Sequence, residues 1–485
     1  MPRTLLTGAN SFVGAHVINS LIAAGHDVVG TVRRENLIDE ILALHSEGKE
    51  KLELIVVKNY ADESVWDHVF GTYRFDYIIH VAAPLVDIPG KTDYDRDFLT
   101  PNVENNLALL RSAKRVAPTV KSVAVTGSVN ASTTGSPEEL LAGPITNETW
   151  LPITREQARE VNNNYISYCS GKKEGELALW DFVKAEKPHF SVTVFLPALI
   201  FGPPLQPIKD LKSSLNYSTN VIYSFFNGTH ETIPATSFPS FVDVRDLADA
   251  HVKALTTPAA ANRRLLVNGK PMTYTSLVHA LAAAVPELEG RLPADSGEDT
   301  KVTPARIEAE ADNELLGLKF RTVEETMADT ARRILELEKL EKTRGAHRSR
   351  APLVIRHKID RREYSSAIRF STTNVFESLS KLYKSDKFAD MALRCGSREF
   401  NAHRAIVCTQ SPFFERAVTG GCAVYTLTRH TDLTLRDIVC RLVQRSIHQD
   451  GVWDKMQPVM GKHSNFAVGV MHYMRAEKLR LPQGR

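Results

Sequence analysis

The residues with the clearest chemical content in this chain are Tyr168 and Lys172, which lie four positions apart. At that spacing both side chains project from one face of a helix. A phenol with an ordinary pKa near ~10 is a poor proton donor at neutral pH, and a neighbouring ammonium favours the phenolate and lowers that pKa. Tyr168 is therefore a candidate proton donor to a carbonyl oxygen, with its pKa lowered by Lys172.

A hydroxyl group that could orient the carbonyl precedes this pair in the chain. Ser128 lies just past residues 122–126, which are predicted to form a strand of a parallel sheet. Ligands of such sheets collect at the carboxyl ends of the strands, so the Ser128 hydroxyl is placed to polarise the substrate oxygen. Ser132 is the second candidate for this role.

A glycine-containing turn near the start of the chain has the features of a dinucleotide site. Residues 7–14 join a predicted strand to a predicted helix, where glycine lets backbone N–H groups approach a pyrophosphate. Ser11 replaces the middle glycine of a three-glycine motif, which weakens the motif and is expected to tighten the loop. The residues of this turn assigned to cofactor binding are Gly8, Asn10, Ser11, Phe12, Val13 and Gly14.

The second predicted strand ends in two arginines that favour one nicotinamide cofactor over the other. Arg33 and Arg34 stand where an NAD enzyme usually has an acidic residue for the ribose hydroxyls and an NADP enzyme an arginine. The sequence therefore predicts NADPH, with Lys172 also bound to the nicotinamide ribose. Backbone contacts are expected from Ala82 and Ala83, which follow the fourth strand at the switch point of the sheet.

Short apolar runs alternate with helix-like segments over the first two hundred residues. This alternation of strands and helices predicts an α/β fold with a doubly wound parallel sheet of the Rossmann type. Strands are predicted at residues 4–7, 27–32, 52–57, 77–82, 122–126 and 191–196. Helices are predicted at residues 13–24, 102–116 and 162–184.

The first domain is predicted to span residues 1–340, with a smaller substrate-covering part mainly at 203–320. Regular structure resumes there at 241–255 and 276–285, and a charged helix at 323–342 closes the unit. Residues 341–370 carry nine Lys or Arg against three Asp or Glu. This composition predicts a basic linker over 341–371, more simply a solvated tether than an RNA-binding segment.

Composition and charge narrow the class of protein. A formal net charge of +3 gives no overall attraction for nucleic acid or an anionic membrane. No apolar stretch approaches the roughly 20 residues that span a bilayer, and the start MPRT lacks a secretory signal, so a cytoplasmic protein is expected. The five cysteines have no metal-ligand spacing, so reduced thiols and no metal are predicted.

The order of these motifs resembles that of the extended short-chain dehydrogenases/reductases in the NAD-dependent epimerase/dehydratase superfamily, and particularly of the dihydroflavonol reductases and yeast-type methylglyoxal reductases. The matching stretches are residues 7–14, 32–34, 80–84, 126–128, 168–172, 197–203 and 241–248. The resemblance implies an NADPH-dependent reductase of an aldehyde, ketone or diketone. It further implies that residues 197–201 run past the nicotinamide and that residue 59 lies near adenine, which adds Asn59, Pro197, Leu199 and Ile200 to the cofactor contacts.

The sequence departs from the family pattern at several places. Gly127 stands where a second serine is frequent, and Asn59 stands where an aspartate often contacts adenine. The stretch typical of cinnamoyl-CoA reductases is missing before Tyr168, so a CoA thioester is not the expected substrate. The loosely patterned residues 204–236 are expected to determine the substrate.

A second and smaller unit is predicted from about residue 372. Helices are predicted at residues 376–384, 403–407 and 412–417, and paired strands at 388–393 and 398–401. Residues 372–421 resemble the first half of a fungal-type BTB/POZ fold, a family that dimerises and recruits partners, which implies a small α+β fragment. Past Gly421 the family pattern is not recovered, so residues 422–485 are expected to be poorly ordered and the fragment unstable alone. His403 and Cys408 are assigned no chemistry there, because a histidine among apolar neighbours is usually a core residue.

Two alternatives stay open at this point. Within the same fold, the chain could be a 3β-hydroxysteroid-type dehydrogenase or a sugar-nucleotide epimerase, which would prefer NAD. In a different class, it could be an interaction protein in which the BTB-like unit recruits partners or self-associates and the first domain is an inert or nucleotide-sensing scaffold.

Overall fold

The computed structural model describes residues 1–83, 93–269, 271–297, 302–303, 305–350, 392–395 and 398–401. The chain divides into two units, residues 1–352 and 353–485. The strands are β1 (Arg3–Thr7), β2 (Asp27–Val32), β3 (Leu52–Val56), β4 (Tyr77–His80), β5 (Ser122–Thr126), β6 (Ser191–Phe195), β7 (Leu199–Phe201), β8 (Phe241–Asp243), β9 (Arg263–Leu265), β10 (Ala392–Cys395) and β11 (Arg398–Asn401).

The helices alternate with these strands and, among the described residues, all belong to the first unit. They are α1 (Phe12–Ala23), α2 (Ile38–Leu44), α3 (Glu63–Thr72), α4 (Thr100–Val116), α5 (Pro137–Ala142), α6 (Arg155–Val161), α7 (Asn164–Glu186), α8 (Tyr217–Ser224), α9 (Val244–Ala254), α10 (Tyr274–Ala284), α11 (Glu310–Leu315) and α12 (Val323–Arg350). No helix in the described part of the chain is long and apolar enough to cross a membrane.

A seven-stranded sheet forms the centre of the first unit, in the order β3-β2-β1-β4-β5-β6-β9. Every neighbouring pair is parallel. The strands are almost continuously apolar because helices cover both faces of the sheet. The chain moves outward from β1 to β3 and then returns to β4 on the other side. The carboxyl ends of β1 and β4 therefore flank the crevice in which such sheets bind ligands.

Three large apolar clusters, and a small one around Tyr94 and Phe98, hold the described part of the first unit together. One packs α3, α4 and α7 on a face of the sheet and includes Trp66, Phe70 and Leu179. A second packs α1 and α9 on the opposite face. The third, which includes Phe201 and Met327, joins the small β7–β8 pair to α8, α10 and α12. This third cluster is the core of the part predicted to cover the substrate.

The predicted fold class is confirmed, and all six predicted strands form, with ends shifted by no more than two residues. The seventh strand, β9, was not predicted because three residues are too short for an alternation to be seen. Helix α12 runs on to Arg350, past the predicted end at 342 and into the predicted basic linker.

The described part of the second unit is a hairpin. Strands β10 and β11 pair antiparallel, with Leu393 opposite Phe400. Residues 398–401 form a strand as predicted, and Ala392–Cys395 is the described part of the preceding strand, which was predicted at 388–393. Residues 388–391 lie outside the described residues. So do the predicted helices at 376–384, 403–407 and 412–417.

Candidate active site

Glycine is required at two positions of the turn between β1 and α1. Gly8 has a φ of +73°, and a Cβ atom there would lie 3.2 Å from the backbone N and Cα of Ala82. A Cβ atom on Gly14 would lie 2.2 Å from the Gly8 carbonyl oxygen. The two glycines thus let the first turn of α1 lie directly against the end of β1, which leaves the helix N-terminus open to an anion.

Ser11 caps the same helix. Its φ of −86° is accessible to any residue, so the middle glycine of the motif is not needed for its backbone conformation. The Ser11 hydroxyl accepts a hydrogen bond from the N–H of Gly14 at 3.0 Å. The Ser11 side chain therefore closes the first turn of α1, which is how a serine at this position would tighten the loop.

The side chains of Phe12 and Val13 are both buried in the core cluster beneath α1. Only their backbone groups can face a bound cofactor. Asn10 is half-buried between the two glycines.

Thr7 joins the ends of β1 and β4. Its hydroxyl oxygen accepts hydrogen bonds from the N–H groups of Val81 and Ala82, both at 3.1 Å. The same oxygen lies 2.8 Å from Nδ1 of His80. Because both amides donate to it, the single hydroxyl proton goes to the His80 ring. This arrangement fixes Ala82, and with it Ala83, at the crevice, while residue 84 of the predicted segment lies outside the described residues.

Arg33 and Arg34 are exposed after β2. Arg33 lies close enough to Tyr60 to lower the pKa of its phenol, although burial is the larger effect and raises that pKa. The Tyr60 hydroxyl lies 2.7 Å from the Thr31 hydroxyl, which also accepts from the N–H of Gly8 at 3.3 Å. Tyr60 therefore links the arginine-bearing end of β2 to the glycine turn, a role with no signal in the sequence.

Asn59 is exposed, and its side-chain oxygen accepts from the N–H of Ala61 at 3.1 Å. The side chain thus supports its own turn through the oxygen, while the amide nitrogen is the part that could face an adenine.

Helix α7 carries the predicted catalytic pair. Asn163 caps its N-terminus by accepting from the N–H groups of Tyr165 and Ile166, at 2.9 and 3.2 Å. One turn further on, the Lys172 ammonium lies 5.9 Å from the centre of the Tyr168 ring. The helix packs closely against α4, where a Cβ atom on Gly175 would lie 2.7 Å from the carbonyl oxygen of Asn102.

The pKa of Tyr168 departs from the expectation. Burial raises it to about 12, and hydrogen bonding with Ser128 opposes that rise. The predicted net lowering of this pKa is therefore wrong, because loss of hydration around the phenol is the largest effect on it. The phenol is protonated at neutral pH, which is the form that a proton donor needs.

The structure distinguishes between the two candidate serines. Ser128 is buried beside Tyr168, where it accepts from the N–H of Asn130 at 3.2 Å. Ser132 is also buried, but its oxygen accepts from Arg264 at 3.4 Å. Ser128 is the serine placed to contact a carbonyl held by Tyr168.

Residues 197–200 lie next to the segment that carries Ser128. The N–H of Val129 donates to the Pro197 carbonyl at 2.9 Å, and Ala198 donates to the side chain of Asn268 at 2.8 Å. Leu199 and Ile200 follow as the start of β7, both half-buried. The predicted residues of this segment therefore lie at the same edge of the sheet as the catalytic candidates.

An ion pair that the sequence does not reveal lies one turn beyond Lys172. The Glu176 carboxylate accepts from Arg264 Nε at 2.7 Å and from the Trp180 indole at 3.0 Å. Both charged side chains are buried, and the guanidinium lies 3.6 Å from the centre of the Trp150 ring. Arg264 is 88 positions from Glu176 in the chain. This separation explains why no local pattern indicates the pair.

Lys172 and Glu176 line one cavity with His80, Asn106 and Ala83. Burial, together with the nearby Lys172 charge, lowers the pKa of His80 to about 4. The histidine is therefore neutral at pH 7. Within this cavity, the two charged groups on α7 face a neutral ring at the end of β4.

The comparisons with known proteins agree with this geometry. Residues 4–268 match the model of the NAD dependent epimerase/dehydratase family, and residues 379–445 match that of the BTB/POZ domain, continuing past Gly421. The NADPH-dependent methylglyoxal reductase of Saccharomyces cerevisiae is 30% identical over 69% of this chain and 98% of its own length. An Aspergillus niger ketoreductase is likewise 30% identical, over 69% of this chain and 98% of its own.

A solved structure of a related reductase is also similar to this chain. The crystal structure of Gre2 from Candida albicans in complex with NADPH has a TM-score of 0.63 and 29% identity, covering 70% of this chain and 99% of that chain. The resemblances read from the sequence, to the extended reductases and to BTB/POZ, are confirmed. The first unit carries the glycine turn, the Rossmann-type sheet and the Tyr-x-x-x-Lys helix of one family, and this chain belongs to the NAD dependent epimerase/dehydratase family.

Proposed function

We propose that the first unit reduces an aldehyde or ketone to an alcohol with NADPH. The observation that carries the proposal is the convergence of Ser128, Tyr168 and Lys172 at the edge of the sheet where the glycine turn leaves β1. In support, the Saccharomyces cerevisiae relative is named an NADPH-dependent methylglyoxal reductase, and the yeast methylglyoxal/isovaleraldehyde reductase Gre2 was solved in complex with NADPH.

The glycine turn and the arginines after β2 suit the phosphate groups of NADPH. Gly8 and Gly14 keep side chains out of the space in front of α1, and Arg33 and Arg34 are exposed at the end of β2. Arginine binds a 2′-phosphate through its planar array of donors, whereas an NAD-specific site would present a carboxylate there. The cofactor, when bound, supplies the hydride that adds to the carbonyl carbon.

The proton that the substrate oxygen receives comes from a residue of this chain. Tyr168, protonated at neutral pH, donates its hydroxyl proton to the substrate oxygen as the carbon becomes tetrahedral. Ser128 donates a hydrogen bond to the same oxygen and orients it. Lys172 holds the cofactor ribose and lies beside the phenol that must regain a proton from solvent before the next turnover.

The test is NADPH oxidation by the full-length protein with methylglyoxal and a panel of aromatic ketones. Tyr168→Phe keeps the ring and removes the proton, so we expect turnover to fall at least ~100-fold, as for other general acids, with NADPH affinity unchanged. A Tyr73→Phe variant, which removes a phenol bonded to Glu53 at the end of α3, is the matched control. Full activity of the Tyr168→Phe protein would contradict the mechanism.

A second function is supported by the BTB/POZ match over residues 379–445. We propose that this unit mediates self-association or recruits a protein partner, while the first unit does the chemistry. Light scattering on the full chain and on residues 1–350 tests this directly. A full chain that is monomeric and captures no partner would contradict it. Cytoplasmic localisation stays a prediction, to be checked by tagging the full-length protein in cells.

A further inference from the structure

Asn130 forms a short hydrogen-bonded chain with Ser128 and Tyr165. The Ser128 hydroxyl lies 3.3 Å from the side-chain oxygen of Asn130 and accepts from the Asn130 backbone N–H at 3.2 Å. The Asn130 amide nitrogen lies 3.0 Å from the Tyr165 hydroxyl and 3.1 Å from the carbonyl oxygen of Thr133. The Tyr165 hydroxyl lies 2.6 Å from the Thr134 carbonyl oxygen.

The directions of the hydrogen bonds made by Asn130 and Tyr165 follow from their carbonyl acceptors. Carbonyl oxygens only accept, so the Tyr165 proton goes to Thr134 and one amide proton of Asn130 goes to Thr133. The second amide proton therefore goes to the Tyr165 oxygen. With both amide protons committed, the Asn130 amide cannot flip, and its oxygen faces Ser128.

This arrangement fixes the Ser128 side chain without holding its proton firmly. The backbone N–H of Asn130 occupies one lone pair of the hydroxyl, and the amide oxygen attracts the proton across a long 3.3 Å contact. A substrate carbonyl at an ordinary hydrogen-bond distance of about 2.8 Å would compete successfully for that proton. The serine is thus oriented in advance, which is how hydrogen-bond donors act on developing charge without reorganisation.

We propose that Asn130 is a positioning residue for the reaction, acting through Ser128, with Tyr165 holding the Asn130 amide in its productive orientation. The proposal rests on the role given to Ser128 in the proposed function. Tyr165 is 40% exposed on α7 one turn before Tyr168, so the chain links the catalytic serine to the surface around the site. Burial raises the pKa of the adjoining Cys169 thiol to about 12, and this neutral thiol brings no competing charge.

The test is a double-mutant cycle on the full-length protein with NADPH and methylglyoxal, or with the best substrate of the panel. We expect Ser128→Ala to lower kcat about 100-fold and Asn130→Ala to lower it about tenfold, the effect of one well-placed hydrogen bond. In the Ser128→Ala background, Asn130→Ala should change kcat by less than about twofold. Tyr165→Phe should have a smaller effect, about threefold, since the Thr133 bond still holds the amide.

Further measurements distinguish positioning from a structural defect. KM, NADPH affinity and the thermal midpoint of Asn130→Ala should stay close to wild type. The control Asn19→Ala, which removes a bond of 2.7 Å to His45 outside the site, should leave kcat and KM unchanged. Independent, multiplicative effects of the Ser128 and Asn130 substitutions would overturn the inference, as would an Asn130→Ala protein with unchanged kcat. If Ser128→Ala is itself fully active, it is the proposed function of Ser128 that fails.

Discussion

Replacing Arg264 by methionine should destabilise the first unit strongly, because the substitution leaves Glu176 as an uncompensated carboxylate in the core. The side chains of Arg264 and Glu176 are only 8% and 3% exposed. The guanidinium also donates to the carbonyl oxygens of Asn147 and Thr149, at 2.7 and 3.0 Å, and these would lose their partner. Removing one member of a buried pair costs about 3–5 kcal/mol.

The size of this effect can be expressed as a shift in the thermal midpoint. At about 2.1 cal/mol/K per residue, the 352 residues of the first unit unfold with an entropy of about 740 cal/mol/K. A loss of 3–5 kcal/mol then lowers the midpoint by about 4–7 °C. Differential scanning calorimetry on the full-length protein measures this shift, with the transition of the first unit identified by its response to NADPH.

Two variants test the cause rather than the size. Lys114→Met breaks the exposed pair between Lys114 and Glu186, and should leave the thermal midpoint nearly unchanged because exposed ion pairs contribute little to stability. Adding Glu176→Gln to Arg264→Met removes the uncompensated charge and should recover most of the lost stability. A double variant as unstable as Arg264→Met alone would refute the electrostatic reasoning and assign the loss to packing against Trp150.

Three further predictions concern the cofactor preference, the Ser11 cap and two buried histidines. Arg33→Ala with Arg34→Ala should raise the Kd for NADPH about tenfold or more and leave that for NADH nearly unchanged, as measured by fluorescence titration. Ser11→Ala should lower the free energy of unfolding by about 1 kcal/mol through the lost cap, and Ser11→Gly by only a few tenths, in urea unfolding. His80 and His251 have pKa values lowered to about 4 by burial. Both histidines bind protons more readily in the unfolded chain than in the folded one. The free energy of unfolding should therefore decline as pH falls from about 6.5 to about 4, and its full value should be present above that window. A free energy of unfolding that does not change with pH across this window would contradict the prediction.

The sequence identified the elements that hold the site because their signals are local. Each strand that carries a site residue is a continuous apolar run, and Tyr168 and Lys172 lie on one helix face by spacing alone. The order of the motifs then placed Ser128 at the correct edge of the sheet. Ser132, four residues later, could be set aside only when the structure showed it bound to Arg264.

Long-range contacts account for what could not be predicted. Strand β9 supplies Arg264, yet it is three residues long and has no pattern of its own. The cap formed by Ser11 and the link made by Tyr60 depend on where the turn after β1 meets its neighbours. In each case the side chain is ordinary in sequence, and its role comes from a partner brought to it by the fold.

The protonation state of Tyr168, the proposed proton donor, likewise depends on both local spacing and long-range contacts. Helical spacing places Tyr168, Lys172 and Glu176 in one line along α7, so a phenol, an ammonium and a carboxylate share a face. Spacing alone would predict that Glu176 pairs with Lys172. Instead the carboxylate is held by Arg264 and Trp180, and burial keeps the phenol protonated. The Tyr-x-x-x-Lys spacing therefore predicts where the reacting groups lie, whereas their charges depend on burial and on residues contributed from elsewhere in the fold.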